Sequence, residues 1–153
     1  MQLDSVKILR EKRVPFRIIE LSERAISVED VIKYSKSKIN HEEICKTIIV
    51  KDKNGEKYGV FLRGRDRIDF NKLKKILGKA SIASFEDVKE STGVEPGSVC
   101  PLTLKTPILV DERVLSLEKI NFGSGNHLYG IELKTSELMD IINYQVKDIA
   151  SLG

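Results

Sequence analysis

Apolar residues along this chain follow two spacings, and each switch between them marks an element. Val6 and Leu9, with Ile8, recur at helical spacing behind Asp4, which predicts a capped helix running to about Arg13 and ended by Pro15. Phe16–Leu21 reads as a strand. Ser27 with Asp30 three residues on predicts a helix start, carried across Val31, Ile32 and Tyr34 and fading between Ser35 and Ile39. Ile44 to Val50 is β-branched and apolar, Asn54-Gly55 is a type I′ turn pair, and Tyr58–Leu62 returns, which predicts a hairpin. Apolar residues on both faces of Ile48, Ile49 and Val50 make its first strand a central one. Asp69 caps a helix from Phe70 to Leu77 closed by Gly78, and Ser84 with Asp87 opens another that stops at Thr92-Gly93. Ile108–Asp111, Glu118–Phe122 and Leu128–Leu133 read as strands, and Thr135 or Ser136 caps a last helix from Glu137 to about Val146. Helices and strands intermix without strict βαβ alternation, so the fold class is α+β (mixed α/β). A mixed, partly antiparallel sheet flanked by helices is expected, in one domain over 1–153.

Composition changes this picture little. With 41% hydrophobic and 32% charged residues the chain is of ordinary folded type. No apolar run reaches the roughly 18 residues of a membrane span, and Met1–Arg13 lacks the features of a signal peptide. Cys45 and Cys100 form no CxxC and have no His-rich companion, which argues against zinc and against a disulfide scaffold; a cytoplasmic protein is expected. Charge is more informative. The net +3 conceals a segment, Lys51 to Lys79, with ten Lys or Arg against four acids. Arg63, Arg65, Arg67 and Lys72 lie in it, and such a basic quarter suits a polyanion, although it also suits a solvated lysine-rich face.

Candidate chemistry gathers at Thr92-Gly93-Val94-Glu95-Pro96-Gly97-Ser98-Val99-Cys100-Pro101. Two glycines and two prolines give a rigid, irregular backbone that can aim successive N–H groups at one oxygen. The same residues also read as a helix C-cap followed by a Pro-Gly turn. Lys46 stands in step with Ile48 and Val50 on a central strand, where a cation needs a partner or an anion-binding cleft; a lysine snorkelling from a strand end is the alternative. His127, in Gly123-Ser124-Gly125-Asn126-His127, could position water or contact a ribose, or simply lie at the surface. Ser98 and Ser124 lack a GxSxG context, and no Rossmann or P-loop glycine pattern occurs. No cofactor is expected.

Cys45-Lys46-Thr47-Ile48-Ile49-Val50, Asp69-Phe70-Asn71-Lys72-Leu73, the stretch from Thr92 to Pro101, and Gly123-Ser124-Gly125 resemble, in order and spacing, the YbaK/prolyl-tRNA-synthetase-associated (ProX-like) family of aminoacyl-tRNA deacylases. The resemblance spans roughly Ala25 to Leu138. It implies a curved or barrel-like sheet and a free-standing, metal-independent enzyme that hydrolyses the ester of a mischarged tRNA, most plausibly Ala- or Cys-tRNA(Pro). A non-catalytic module binding tRNA or a synthetase is the alternative. By the resemblance, Lys46 lies near the terminal adenosine phosphate, and Gly97 and Ser98, with Pro96, hold the aminoacyl carbonyl through main-chain amides. Thr47, Gly93, Cys100, Gly123, Ser124, Gly125 and His127 are the further candidate substrate contacts, and Arg63, Arg65, Arg67 and Lys72 the candidate tRNA contacts. Ser98 and Cys100 stand where relatives often have Gly and Ser, and Leu21 and Ser22 where some carry a histidine. Partners would be the tRNA acceptor end and a prolyl-tRNA synthetase, with the protein a monomer or weak dimer and no membrane involved.

Overall fold

Three sheets, two of which meet at a seam, and five short helices make up the structure, a computed structural model that describes residues 3–153. Met1 and Gln2, part of the N-terminal stretch read above, lie outside the described residues. The largest sheet has the order β5-β2-β3-β6-β9, formed by Ala80–Ile82 (β5), Cys45–Asp52 (β2), Lys57–Arg63 (β3), Ile108–Asp111 (β6) and Tyr144–Lys147 (β9). β2 pairs antiparallel with both β3 and β5, whereas β3–β6 and β6–β9 are parallel. The second sheet has the order β1-β8-β7, with Arg17–Glu20 (β1), Tyr129–Lys134 (β8) and Lys119–Gly123 (β7), all antiparallel. The third pairs Asp66–Ile68 (β4) with Ala150–Leu152 (β10). A lone parallel bridge, Ile44 to Asn121, joins the first two sheets. Mixed sheets with flanking helices are what the apolar pattern predicts, and β2 is central as expected.

Helix starts follow their local chemistry. Ser27 accepts from the Asp30 N–H at the head of Val28–Tyr34 (α2), Asp69 accepts from Asn71 and Lys72 at the head of Phe70–Leu77 (α3), and Ser84 accepts from Asp87 at the head of Phe85–Thr92 (α4). Gly93 ends α4 in the left-handed conformation, φ 78°. Four expectations are corrected. Asp4 is the first residue of α1 (Asp4–Glu11), not its cap; Leu3 precedes it without a side-chain bond, and Arg13, at φ 58°, lies beyond the helix end. The hairpin turn is not type I′, because only Gly55 has positive φ (83°); the Asp52 carboxylate instead accepts from the Asn54 and Glu56 N–H groups and winds the turn around itself. The last helix, Thr135–Ile141 (α5), has no side-chain cap and stops five residues early, because Tyr144–Lys147 pairs with β6 as a strand. The strands β4, β5 and β10 were not foreseen.

The core lies on both faces of the large sheet. Phe61 and Phe122 meet edge to face at 5.9 Å on one face, and Val60, Leu62 and Leu73 pack on the other. Each such fully buried aliphatic side chain contributes roughly 1.5–3 kcal/mol. A third cluster, Ile49, Ala83, Val88 and Val99, fastens α4 and the segment after it to β2, and this brings the Gly/Pro segment over the sheet seam.

Candidate active site

Strand alternation decides which face each β2 residue serves. Cys45, Thr47 and Ile49 share one face, toward the Phe61 and Val99 clusters, while Lys46, Ile48 and Val50 share the other. At the start of β2 a cavity of about 390 Å³ opens along the seam, and Lys46, Thr47, Pro96, Gly97, Ser98, Gly123 and His127 all line it. Apolar walls come from Leu21, Ala25, Ile49, Val88 and Val99. Sequence elements some 80 residues apart are thereby gathered around one hollow.

Lys46 is half-buried, and its Nζ donates to the Gly64 carbonyl at 3.1 Å; Gly64 also lines the cavity. Burial pushes the Lys46 ammonium below the ordinary lysine range, partly offset by Glu29 and Asp66 and assisted by Arg67. A lysine with a single carbonyl partner at the edge of a cavity keeps donors for an anionic guest.

The Pro96–Val99 turn is held by close backbone approach. Gly97 has φ 97°, and a Cβ there would come within 2.7 Å of the Ile26 carbonyl oxygen. Only glycine fits both conditions. On the far side, a Cβ on Gly123 would lie 3.2 Å from the Val99 carbonyl oxygen, so the turn rests directly on the start of the second glycine loop. The Ser98 N–H and Oγ both donate to the Glu95 carbonyl at 3.3 Å, whereas the Gly97 and Val99 N–H groups have no acceptor among the described residues.

His127 is oriented from behind. Its Nδ1–H donates to the Ala25 carbonyl at 2.7 Å, which leaves Nε2 facing a Glu95 carboxylate oxygen at 3.3 Å, with Arg24 pairing the same carboxylate. Two acceptors face one another there unless a proton or a guest's donor comes between them. Three buried polar atoms around the cavity have no hydrogen-bond partner among the described residues: Thr47 Oγ1, Asn121 Nδ2 and His127 Nε2. Unpaired polar groups are costly in a folded interior, and their gathering at one hollow suits a polar ligand.

Other candidates fall elsewhere. Gly93 is a helix cap, and Gly125 is a positive-φ turn residue at 99°. The Ser124 hydroxyl donates to the Tyr129 carbonyl at 2.6 Å and accepts from the Asn126 N–H at 3.2 Å, which knits the loop together. Cys100 is buried in the main core, and burial pushes its thiol up to about 12. None of these four borders the cavity. Of the basic set, Arg63 pairs with fully buried Asp66 at 2.7 Å, Arg65 with Glu42, and Lys72 with Asp148 at 2.9 Å; exposed Arg67 has no ion pair among the described residues. Sequence reasoning missed Asn121, Glu95 and Ile26. For Asn121 the available signal was a single amide between Ile120 and Phe122 in a strand.

Comparison with known proteins locates the chain among them. The model of a family described as "Aminoacyl-tRNA editing domain" matches residues 23–141. A proline–tRNA ligase of Syntrophotalea carbinolica is 30% identical over 113 residues, covering 71% of this chain and 19% of the ligase. One from Francisella philomiragia is 24% identical over 148 residues, covering 87% and 26% respectively. The chain thus spans about a fifth to a quarter of those relatives. Among solved structures, a hypothetical protein superposes with TM-score 0.82 at 26% identity, covering 97% of this chain and 100% of that one. A proposed trans-editing enzyme for prolyl tRNA synthetase superposes with TM-score 0.80 at 22% identity, covering 96% and 95%, a likeness of fold.

Proposed function

The chain belongs to the aminoacyl-tRNA editing domain family, and from that premise we propose that it hydrolyses the ester of a mischarged tRNA, with Ala- or Cys-tRNA(Pro) the first substrates to test. One observation carries the reading: Lys46 and the Gly97 turn, 51 positions apart, border a single cavity. In the proposed step water adds to the ester carbonyl carbon, the carbon–oxygen bond to the ribose breaks, and the amino acid and a free ribose hydroxyl leave. The free Gly97 N–H receives the developing oxyanion, a contribution of about 2.7–4 kcal/mol for a well-placed donor. Ser98 fixes the turn by bonding back to Glu95. The Lys46 ammonium holds the phosphate of the terminal adenosine. His127 Nε2 orients water or the ribose, with Thr47 Oγ1 beside the guest. No metal takes part in this step; the amides carry the charge.

Substrate choice would rest on cavity size, where each methylene is worth about 1–3 kcal/mol, enough to favour Ala or Cys over a bulkier residue by tens of fold. The acceptor end would lie along the basic segment; of its four candidate cations Arg63, Arg65, Arg67 and Lys72, only Arg67 has no ion pair among the described residues. In this reading the protein works in the cytoplasm downstream of a prolyl-tRNA synthetase.

The test is deacylation of a panel of mischarged tRNAs. Lys46→Ala should lower kcat/KM about 10- to 100-fold, the loss of a charge-assisted contact, with thermal stability retained because a half-buried cation is removed. Unchanged turnover would remove Lys46 from the mechanism. Tight tRNA binding by the unaltered protein with no turnover of any ester would instead mark a binding module.

A further inference from the structure

Asn121 is a cavity residue that the sequence pattern does not single out. It lies in β7, is 2% exposed, and lines the hollow. Its Nδ2 is shielded from solvent and has no hydrogen-bond partner among the described residues. The space it fills is provided by Gly130 on β8: a Cβ there would sit 3.1 Å from Asn121 Oδ1 and 3.5 Å from Ile19 Cβ. The neighbouring cluster, Ile19, Leu21 and Ala25, is apolar and buried. An amide N–H buried without an acceptor is destabilising in the empty protein, because its desolvation is uncompensated.

Position narrows what could compensate it. Gly97 is exposed, Lys46 half-buried and Asn121 almost fully buried, so the cavity runs from a polar mouth to an amide at its floor. A polynucleotide must stay outside, so its acyl end leads. An α-aminoacyl group carries an ammonium donor and a carbonyl acceptor on adjacent carbons, and a primary amide supplies the complement of each.

Resting on the functional reading above, we propose that Asn121 is the specificity residue that recognises the α-amino group of the aminoacyl end, through Oδ1. The enzyme thereby distinguishes an aminoacyl ester from other small acyl esters of the same size.

The experiment uses two non-hydrolysable probes, 3′-alanylamino-3′-deoxyadenosine and the 3′-propionylamino compound that lacks the amine, titrated against the unaltered protein and Asn121→Leu. The unaltered protein should bind the alanyl probe about tenfold more tightly than the propionyl probe, and Asn121→Leu should bind both alike. Leucine has the same branching as asparagine and suits the apolar neighbours, so the melting temperature of Asn121→Leu should equal or exceed that of the unaltered protein. Retained discrimination in Asn121→Leu overturns the proposal. So does a lower melting temperature, the mark of a structural amide, or failure of the unaltered protein to bind either probe. Discrimination between the probes with no hydrolysis of any charged tRNA would defeat the catalytic reading and leave this inference standing.

Discussion

Two glycine loops flank the cavity, and they are built on opposite plans. Apart from Ser98, which bonds back to Glu95, the Pro96–Val99 turn is held by contact: Gly97 lies against the Ile26 backbone, Gly123 lies under Val99, and the Gly97 N–H has no acceptor among the described residues. The Gly123–His127 loop is held by hydrogen bonds. Ser124 ties Asn126 and Tyr129 together, Ser5 Oγ donates to the Ser124 carbonyl at 2.7 Å, and the Asn126 side chain accepts from the Leu128 N–H at 2.9 Å. Steric fixation leaves the Gly97 and Val99 N–H groups free in the first loop, whereas in the second the Asn126 and Leu128 N–H groups and the Ser124 hydroxyl are engaged in holding the loop. That difference makes the first loop suited to receive an oxygen and the second suited to support it.

Substitutions can break this comparison in graded steps. The largest effect is expected from Gly97→Ala, where positive φ and a 2.7 Å approach to backbone act together. It should cost more than about 2 kcal/mol in chemical denaturation and remove most deacylation. A variant of unchanged stability and activity would mean that the turn is free to move. Ser124→Ala comes next. It leaves the partly buried Tyr129 carbonyl and the Asn126 N–H without their hydroxyl partner, for a loss of about 1–3 kcal/mol. Turnover at temperatures where the protein stays folded should be nearly unaffected, since Ser124 lies off the cavity; a large fall in kcat alone would give it a direct role. Gly125→Ala should have the smallest effect. Its φ of 99° is unfavourable for alanine but nothing lies within 4 Å, so the cost is about 1–2 kcal/mol of conformational strain, read as a small shift in melting temperature.

How much of this was legible in the chain depended on the distance over which the determining contacts act. Ser27, Asp69 and Ser84 mark helix starts because each cap is made within three residues, and the β2–β3 hairpin announces itself through its own apolar run. The three-residue strands β4 and β5 carry no such signature; they exist because residues 150–152 and β2 pair with them. The same cause ends the last helix early, since Tyr144 and Val146 gain more beside β6 than in another helical turn. Within the site, Lys46 and Gly97 stand out as a cation in an apolar strand and a glycine beside proline. Asn121 and Glu95 do not, because what sets them apart is the absence of a partner for one and the arrival of His127 and Arg24 at the other.

One buried carboxylate links the far parts of the chain in time as well as in space. Asp111, fully shielded from solvent, takes the N–H groups of Ile149 and Ala150 at 3.0 Å each, across 38 and 39 positions, with Arg113 beside it. A ribosome therefore emits β6 well before the amides that neutralise its last residue exist. Until they emerge, that acid must stay hydrated, so the end of the large sheet that carries it closes only once the last residues of the described chain have been made.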